Sequence, residues 1–135
     1  NVMDDIYAAR VMSTDLHTVS PDTLVEDAAH VMLDEGISSL LVVGENNGLE
    51  GILTTTDFLT IVAKSQPKAE TSVSRYMTTD VVTTTAQEPI RNVAGTMLDH
   101  GFHHMPVVDA TEGVIGIVST TDLAVYLSQV QPAPS

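Results

Sequence analysis

The feature that most constrains the fold is an internal duplication. At an offset of 65 residues, Val11–Val62 aligns with Tyr76–Leu127 without a gap. MLDEG at 32–36 falls on MLDHG at 97–101, and GILTTTD at 51–57 falls on GIVSTTD at 116–122. A register held over this length indicates two copies of one supersecondary unit. We therefore predict a tandem repeat, with copies at residues 8–64 and 73–130.

Each copy has the pattern of a β-α-β-β-α unit. LHTV (16–19) and VVTT (81–84) predict short first strands, and apolar residues at helical spacing then run up to Gly36 and Gly101, which suit C-caps. LLVV and MPVV predict buried strands, and LEGIL and VIGIV predict second strands after turn-rich connectors. Closing helices are expected from Thr55 and Thr120.

Three further segments have simpler patterns. MDDIYAARV (3–11) predicts a short helix leading into the first repeat, Ser65–Ser72 a polar linker, and QPAPS (131–135) a frayed tail. The fold class predicted is α/β (α+β), with tandem repeats packed about a pseudo-twofold axis. Each unit alone would leave one apolar face of its sheet exposed, and packing the two copies together would also create two related clefts, where ligands often bind.

The charge excludes several classes of partner. The chain carries 18 acidic residues against 5 lysines and arginines, a formal charge of -13. Such a surface repels phosphate backbones and anionic lipids, so we expect no nucleic-acid and no membrane partner. Two origins stay open: an ordinary acidic protein, or a halophile-like protein whose self-repulsion is screened by salt. The low lysine content, Lys64 and Lys68 only, favours the second.

Known catalytic patterns are missing from the sequence. There is no P-loop, dinucleotide fingerprint or nucleophile elbow, and the absence of cysteine excludes thiolate metal sites. The five histidines have no spacing typical of a metal site. We therefore expect no enzyme, no metal and no cofactor. No apolar run approaches about 20 residues, and NVMDDIYAAR lacks the layout of a signal peptide, so a soluble cytoplasmic chain is expected.

The repeated TTTD and STTD endings admit two interpretations. Thr54 with Asp57, and Ser119 with Asp122, have the spacing of a helix capping box. A strand-to-helix corner of this kind also suits a ligand, because free N–H groups at a helix start suit phosphate oxygens and a carboxylate suits ribose hydroxyls. The glycines that open both motifs are typical of a close backbone approach.

Taken together, these features resemble a CBS (cystathionine β-synthase-type) domain pair. The resemblance rests on the duplication, on MLDHGFHHMPVVD (97–109) and on GIVSTTD, and it covers Ala8–Val130. It implies a non-catalytic regulatory module that binds an adenine-containing ligand, such as AMP, ADP, ATP or S-adenosylmethionine, between the repeats and signals by a conformational shift. It also implies a homodimer and a regulated protein partner. The alternative is a ligand-free module that mediates assembly.

The resemblance further implies two half-shared ligand sites. The first combines Thr54, Thr56 and Asp57 with Val81, Val82, and with His103 and His104 ahead of the Pro106 strand. The second combines Ser119, Thr121 and Asp122 with Leu16, His17, Ser38 and Ser39. Asp57 would hold the ribose, Val82 would frame the adenine, and the histidines would reach the phosphate. Because no lysine or arginine falls at these positions, we expect modest affinity. The first site is preferred, because its histidines can donate hydrogen bonds.

Overall fold

A computed structural model describes residues 5–64 and 70–130. Most of the predicted linker and the predicted frayed tail lie outside these ranges. The described α-helices and β-strands, in chain order, are α1 (Ala8–Val11), β1 (Thr18–Val19), α2 (Val25–Glu35), β2 (Ser39–Val43), β3 (Leu49–Thr54), α3 (Thr55–Lys64), α4 (Ile90–His100), β4 (His104–Asp109), β5 (Gly113–Ser119) and α5 (Thr120–Ser128). Two short 3-10 helices lie at Glu45–Asn47 and Val73–Arg75. The fold is thus of the mixed α+β kind with small sheets.

The chain forms two compact units whose limits differ from those of the sequence repeats. Residues 17–81 form the first-repeat unit, and residues 1–16 together with 82–135 form the second-repeat unit. Each unit takes in a segment from outside its own repeat. Thr78 forms an antiparallel bridge with Ile52 in the first-repeat unit, and Ser13 forms the equivalent bridge with Ile117 in the second-repeat unit.

The first-repeat unit contains the predicted sheet. Its three strands lie in the order β1-β2-β3, with β1 parallel to β2 and β2 antiparallel to β3. Side chains from the strands and helices meet in one apolar core, which excludes water and supplies most of the stability of the unit. The buried members of this core are Val25, Ala28, Met32, Leu40, Val42, Leu53, Ile61 and Val73.

Both central helices end at the predicted glycine. Gly36 after α2 and Gly101 after α4 have φ angles of 65° and 71°, in the left-handed region. Glycine adopts this conformation without the steric penalty of a Cβ, which allows the chain to turn into the next strand. The C-caps predicted from sequence are therefore confirmed.

The second-repeat unit contains a two-stranded sheet, in which β4 pairs antiparallel with β5. Its core is Ala8, Val93, Met97, Met105, Val107 and Val118. The first strand predicted at residues 81–84 is reduced to a single parallel bridge between Thr84 and Val107. The prediction of a full first strand in this repeat is therefore wrong in extent.

Pro106 explains the shortened strand. Thr84 N donates to Pro106 O at 2.9 Å, and Val108 N donates to Thr84 O at 2.9 Å. The N and C=O of one strand residue point to the same side, so the nitrogen of Pro106 also faces this segment, but proline has no N–H to donate. The first repeat has Leu41 at this position, and there Thr18 and Val19 both pair with β2.

The glycines of the two repeated motifs permit a close backbone approach. A Cβ at Gly51 would lie 2.9 Å from the carbonyl oxygen of Thr78, and one at Gly116 would lie 3.2 Å from that of Ser13. Both distances are shorter than ordinary van der Waals contacts. This confirms the close backbone approach predicted for the glycines of GILTTTD and GIVSTTD.

Within residues 5–64 and 70–130, no helix has the length and apolarity needed to cross a bilayer.

Candidate functional site

The repeated motifs form two equivalent strand-to-helix corners, one in each unit. The Asp57 corner consists of Ser38, Ser39, Thr54, Thr56 and Asp57, and the Asp122 corner consists of His103, His104, Ser119, Thr121 and Asp122. In the Asp57 corner, Ser39 pairs with Thr54 across β2 and β3. In the Asp122 corner, His104 pairs with Ser119 across β4 and β5. Backbone bonds from Thr55 N to Ser38 O and from Thr120 N to His103 O close the corners, at 3.2 and 3.0 Å.

Asp57 caps its helix with one carboxylate oxygen. Thr54 N donates to Asp57 Oδ2 at 2.7 Å, and Thr54 Oγ1 lies 3.4 Å from the same oxygen. Asp57 Oδ1 has no hydrogen-bond partner among the described residues. The Asp57 side chain is half-buried. An acceptor is thus left available beside the exposed Thr56 at the start of α3.

Asp122 forms a complete capping box. Ser119 N donates to Asp122 Oδ2 at 2.9 Å, and Asp122 N donates to Ser119 Oγ at 3.1 Å. The capping interpretation is therefore confirmed for this motif. The other oxygen, Asp122 Oδ1, accepts a hydrogen bond from Ser13 Oγ at 3.2 Å. Both corners have the bond from the backbone N–H to the carboxylate, but among the described residues only the Asp122 corner has the reciprocal bond to the hydroxyl. The corners also differ at the second carboxylate oxygen.

The Asp122 corner also contains the histidine pair. Burial lowers the pKa of His104 below its usual value, the neighbouring charge of His103 lowers it further, and the Asp122 carboxylate opposes both effects. His104 is therefore neutral at neutral pH and adds no formal charge to the corner. It can take part in hydrogen bonds but attracts phosphate only weakly at neutral pH.

The other predicted site residues lie along the strands and their flanks. Thr121 is exposed in the first turn of α5, Pro106 is fully buried, and Val82 packs against the core of the second-repeat unit. Leu16 and His17 precede β1, and His17 Nε2 lies 3.5 Å from Glu35 Oε2. Val81 is half-buried outside any strand.

Each predicted site draws on residues of both units. Within single units, the structure brings Ser38 and Ser39 to the Asp57 corner, and His103 and His104 to the Asp122 corner. The predicted grouping of Asp57 with the histidines joins residues of different units and stays a prediction.

Sequence reasoning missed Ser13, the hydroxyl that contacts Asp122. A signal was present, because Ser13 aligns with Thr78 at the same offset of 65 that relates the two motifs. Both residues precede a first strand, where nothing local indicates that they pair with the strand carrying the motif glycine. The contact joins positions 109 residues apart in the chain.

A separate cavity of about 280 Å³ lies within the second-repeat unit, between residues 83–85 and α4. Its polar lining comes from Thr83, Thr84, Thr85, Glu88, Asn92 and Thr96. None of the predicted site residues lines it. The cavity therefore lies apart from the corners that the repeated motifs build. Among the described residues, no group of three His, Asp or Glu could hold a metal ion.

Relatives share this architecture over most of the chain. The CBS domain-containing protein YhcV of Bacillus subtilis is 31% identical over 84% of this chain and 80% of its own length. An uncharacterized 17.7 kDa protein of Acidianus ambivalens is 31% identical over 86% of the chain and 70% of its own length. Homoserine O-acetyltransferase of Methanosalsum zhilinae is also 31% identical, but this chain spans only 24% of the length of that enzyme.

Solved structures agree with the fold. The CBS domain pair of protein MJ0100, in complex with 5′-methylthioadenosine and S-adenosyl-L-methionine, superposes with a TM-score of 0.81 at 26% identity, covering 90% of this chain and 95% of that one. CBSX2 in complex with AMP superposes with a TM-score of 0.80 at 25% identity, and the match covers 92% of this chain and 97% of that one. The CBS domain model itself matches residues 8–64 and 73–129. The chain therefore belongs to the CBS domain family, as its duplicated motifs predicted.

Proposed function

We propose that this chain is a non-catalytic regulatory module that binds an adenine-containing ligand through its strand-to-helix corners. The observation that carries the proposal is the second carboxylate oxygen of Asp57, which has no partner among the described residues while the first oxygen caps α3. A half-buried carboxylate with one free oxygen can accept hydrogen bonds from ribose hydroxyls. The hydroxyls of Thr54 and Thr56 lie at the same helix start.

The charge of the module favours ligands with few phosphates. The Asp57 corner, as defined above, contains four hydroxyl-bearing side chains and one carboxylate, but no lysine, arginine or histidine. His104 is neutral at neutral pH, and the chain as a whole carries a charge of -13. Anionic ligands are repelled by such a surface at low ionic strength. We therefore expect S-adenosylmethionine to bind at least as tightly as AMP, and ATP to bind most weakly.

The relatives are consistent with a regulatory role. MJ0100 was solved with two adenosine derivatives and CBSX2 with AMP. The acetyltransferase relatives match this chain over only about a quarter of their length, 24% for the Methanosalsum enzyme, so their activity is not carried to this chain by the match. A ligand that binds one arrangement of the module more tightly than another shifts the population, and a partner protein can respond to that shift.

Isothermal titration tests the proposal directly. The chain is titrated with AMP, ADP, ATP and S-adenosylmethionine in low and in molar KCl. Asp57→Asn should weaken binding at least tenfold, because it removes the charged acceptor while its amide oxygen can still accept from Thr54 N. Asp34→Asn is the matched control, since Asp34 is exposed near the end of α2 and its replacement changes the net charge equally. Absence of binding with every ligand refutes the proposal.

A second function, assembly, is favoured by exposed apolar side chains at equivalent positions. Leu33 on α2 and Leu98 on α4 are 78% and 82% exposed, and they are related by the repeat offset of 65. Covering these side chains with another copy of the chain would remove apolar surface from water, which stabilises an assembly. A homodimer would be detected by light scattering, and Leu33→Glu with Leu98→Glu should give a monomer. Thr111→Glu, at an exposed position in the turn between β4 and β5, is the control.

A further inference from the structure

Among the described residues, the second carboxylate oxygen has a hydroxyl partner in one corner and none in the other. Ser13 Oγ donates to Asp122 Oδ1 at 3.2 Å, whereas the equivalent residue of the other unit, Thr78, makes no contact with Asp57 among the described residues. The serine and the threonine both carry a hydroxyl, so each corner has a donor at this position.

The backbone around these hydroxyls is the same in both units. Ser13 N and O bond to Ile117 at 2.8 and 3.0 Å, and Thr78 N and O bond to Ile52 at 2.9 and 3.0 Å. The segments therefore dock through equivalent backbone bonds, and the Ser13 hydroxyl adds a contact to its corner. Because the cap occupies Asp122 Oδ2, Ser13 takes the oxygen that the cap leaves available.

We propose that Ser13 is a specificity-determining residue that competes with the ligand for Asp122. The inference rests on the proposed function, because it concerns the same class of adenosine ligand. A ribose hydroxyl that binds Asp122 Oδ1 has to displace the Ser13 hydroxyl, whereas at Asp57 no described residue has to leave the same oxygen. The Asp57 corner is thus filled first, and the Asp122 corner only at higher ligand concentration.

Removing the serine hydroxyl tests this competition in isolation. Titrations with S-adenosylmethionine and with AMP compare Asp57→Asn, in which only the Asp122 corner keeps its carboxylate, with the double variant Asp57→Asn, Ser13→Ala. The loss of one competing hydrogen bond should tighten binding at the Asp122 corner roughly five- to tenfold. Ser13 is exposed and its backbone bridge does not use the side chain, so the variant retains the docked segment.

The duplication supplies a matched control. Thr78→Ala in an Asp122→Asn background removes the equivalent hydroxyl next to the Asp57 corner and should leave affinity there unchanged. Equal or weaker binding after Ser13→Ala, or an equal gain after Thr78→Ala, overturns the inference while binding at the Asp57 corner still supports the proposed function. If neither probe binds to the unmodified chain or to any variant, the proposed function fails and the inference fails with it.

Discussion

Replacing the motif glycines by alanine tests the packing of the two leading segments. At Gly51 a Cβ would lie 2.7 Å from Met77 Sδ and 2.9 Å from Thr78 O. The thioether can move, because methionine is flexible. The carbonyl oxygen cannot retreat without lengthening the two hydrogen bonds, at 3.0 and 2.9 Å, that hold Thr78 to Ile52. At Gly116 the corresponding carbonyl, of Ser13, is 3.2 Å away and needs a smaller shift.

These distances set the order of the effects. Overpacking of this kind costs about 1–3 kcal/mol, and the reduced entropy of the unfolded chain returns roughly 0.5–1 kcal/mol for a glycine-to-alanine change. Neither Gly51 nor Gly116 has a positive φ, so alanine adds no backbone strain. We expect a net loss of about 2 kcal/mol for Gly51→Ala and about 1 kcal/mol for Gly116→Ala. At about 3 °C per kcal/mol, Tm should fall by roughly 6 and 3 °C.

Gly95 is the internal control for this series. It lies inside α4, and a Cβ there would meet nothing within 4 Å. Gly95→Ala should therefore stabilise the chain by about 1 kcal/mol through helix propensity. The assay is urea denaturation followed by circular dichroism at one pH and salt concentration. An unchanged or raised stability for Gly51→Ala, or a larger loss for Gly116→Ala, would refute the argument from close approach.

Three further predictions concern the cap, the histidine and the charge. Ser119→Ala removes the hydroxyl of the capping box and should lower the free energy of unfolding by about 1 kcal/mol, whereas Thr121→Ala should change it little; equal losses in urea denaturation would contradict the cap. Because burial lowers the folded pKa of His104 from 6.5, its contribution to stability is complete above pH 6.5 and is lost as pH falls toward the lower folded value. In thermal melts from pH 5 to 8, the Tm of His104→Asn should depend less on pH than that of the unmodified chain. An equal dependence of Tm on pH would contradict the assignment of this effect to His104. The charge of -13 predicts a higher Tm in molar KCl than in low salt, and equal values would exclude a halophile-like character.

Local signals predicted much of the fold. Gly36 and Gly101 mark helix ends because the C-cap conformation is left-handed and glycine adopts it most easily. A single glycine in the sequence is therefore enough to predict the helix end. The T-x-x-D spacing predicted caps because a hydroxyl and a carboxylate three positions apart can each accept from the backbone N–H of the other residue in the first helical turn. The offset of 65 then extended each local prediction to the second copy.

Non-local pairing escaped prediction from the sequence. The strand expected at residues 81–84 depends on a hydrogen-bond donor on another strand, and Pro106 removes that donor. Ser13 and Thr78 likewise gain their role only by pairing with strands that lie far away in the chain. The alignment showed that these residues are equivalent, but it could not show which unit each one joins.

The two interpretations of the repeated aspartate do not exclude each other, because a carboxylate has two oxygens. The cap needs only one, and both Asp57 and Asp122 use Oδ2 for it. Folding therefore accounts for an acid at both positions but does not determine the partner of the other oxygen. The partner of that oxygen can differ between the copies with little effect on the cap. It does differ, because Ser13 contacts the oxygen at Asp122 and no described residue contacts it at Asp57. Any functional inequality that arises from this oxygen should accordingly appear in ligand affinity, because the bond that caps the helix uses the other oxygen.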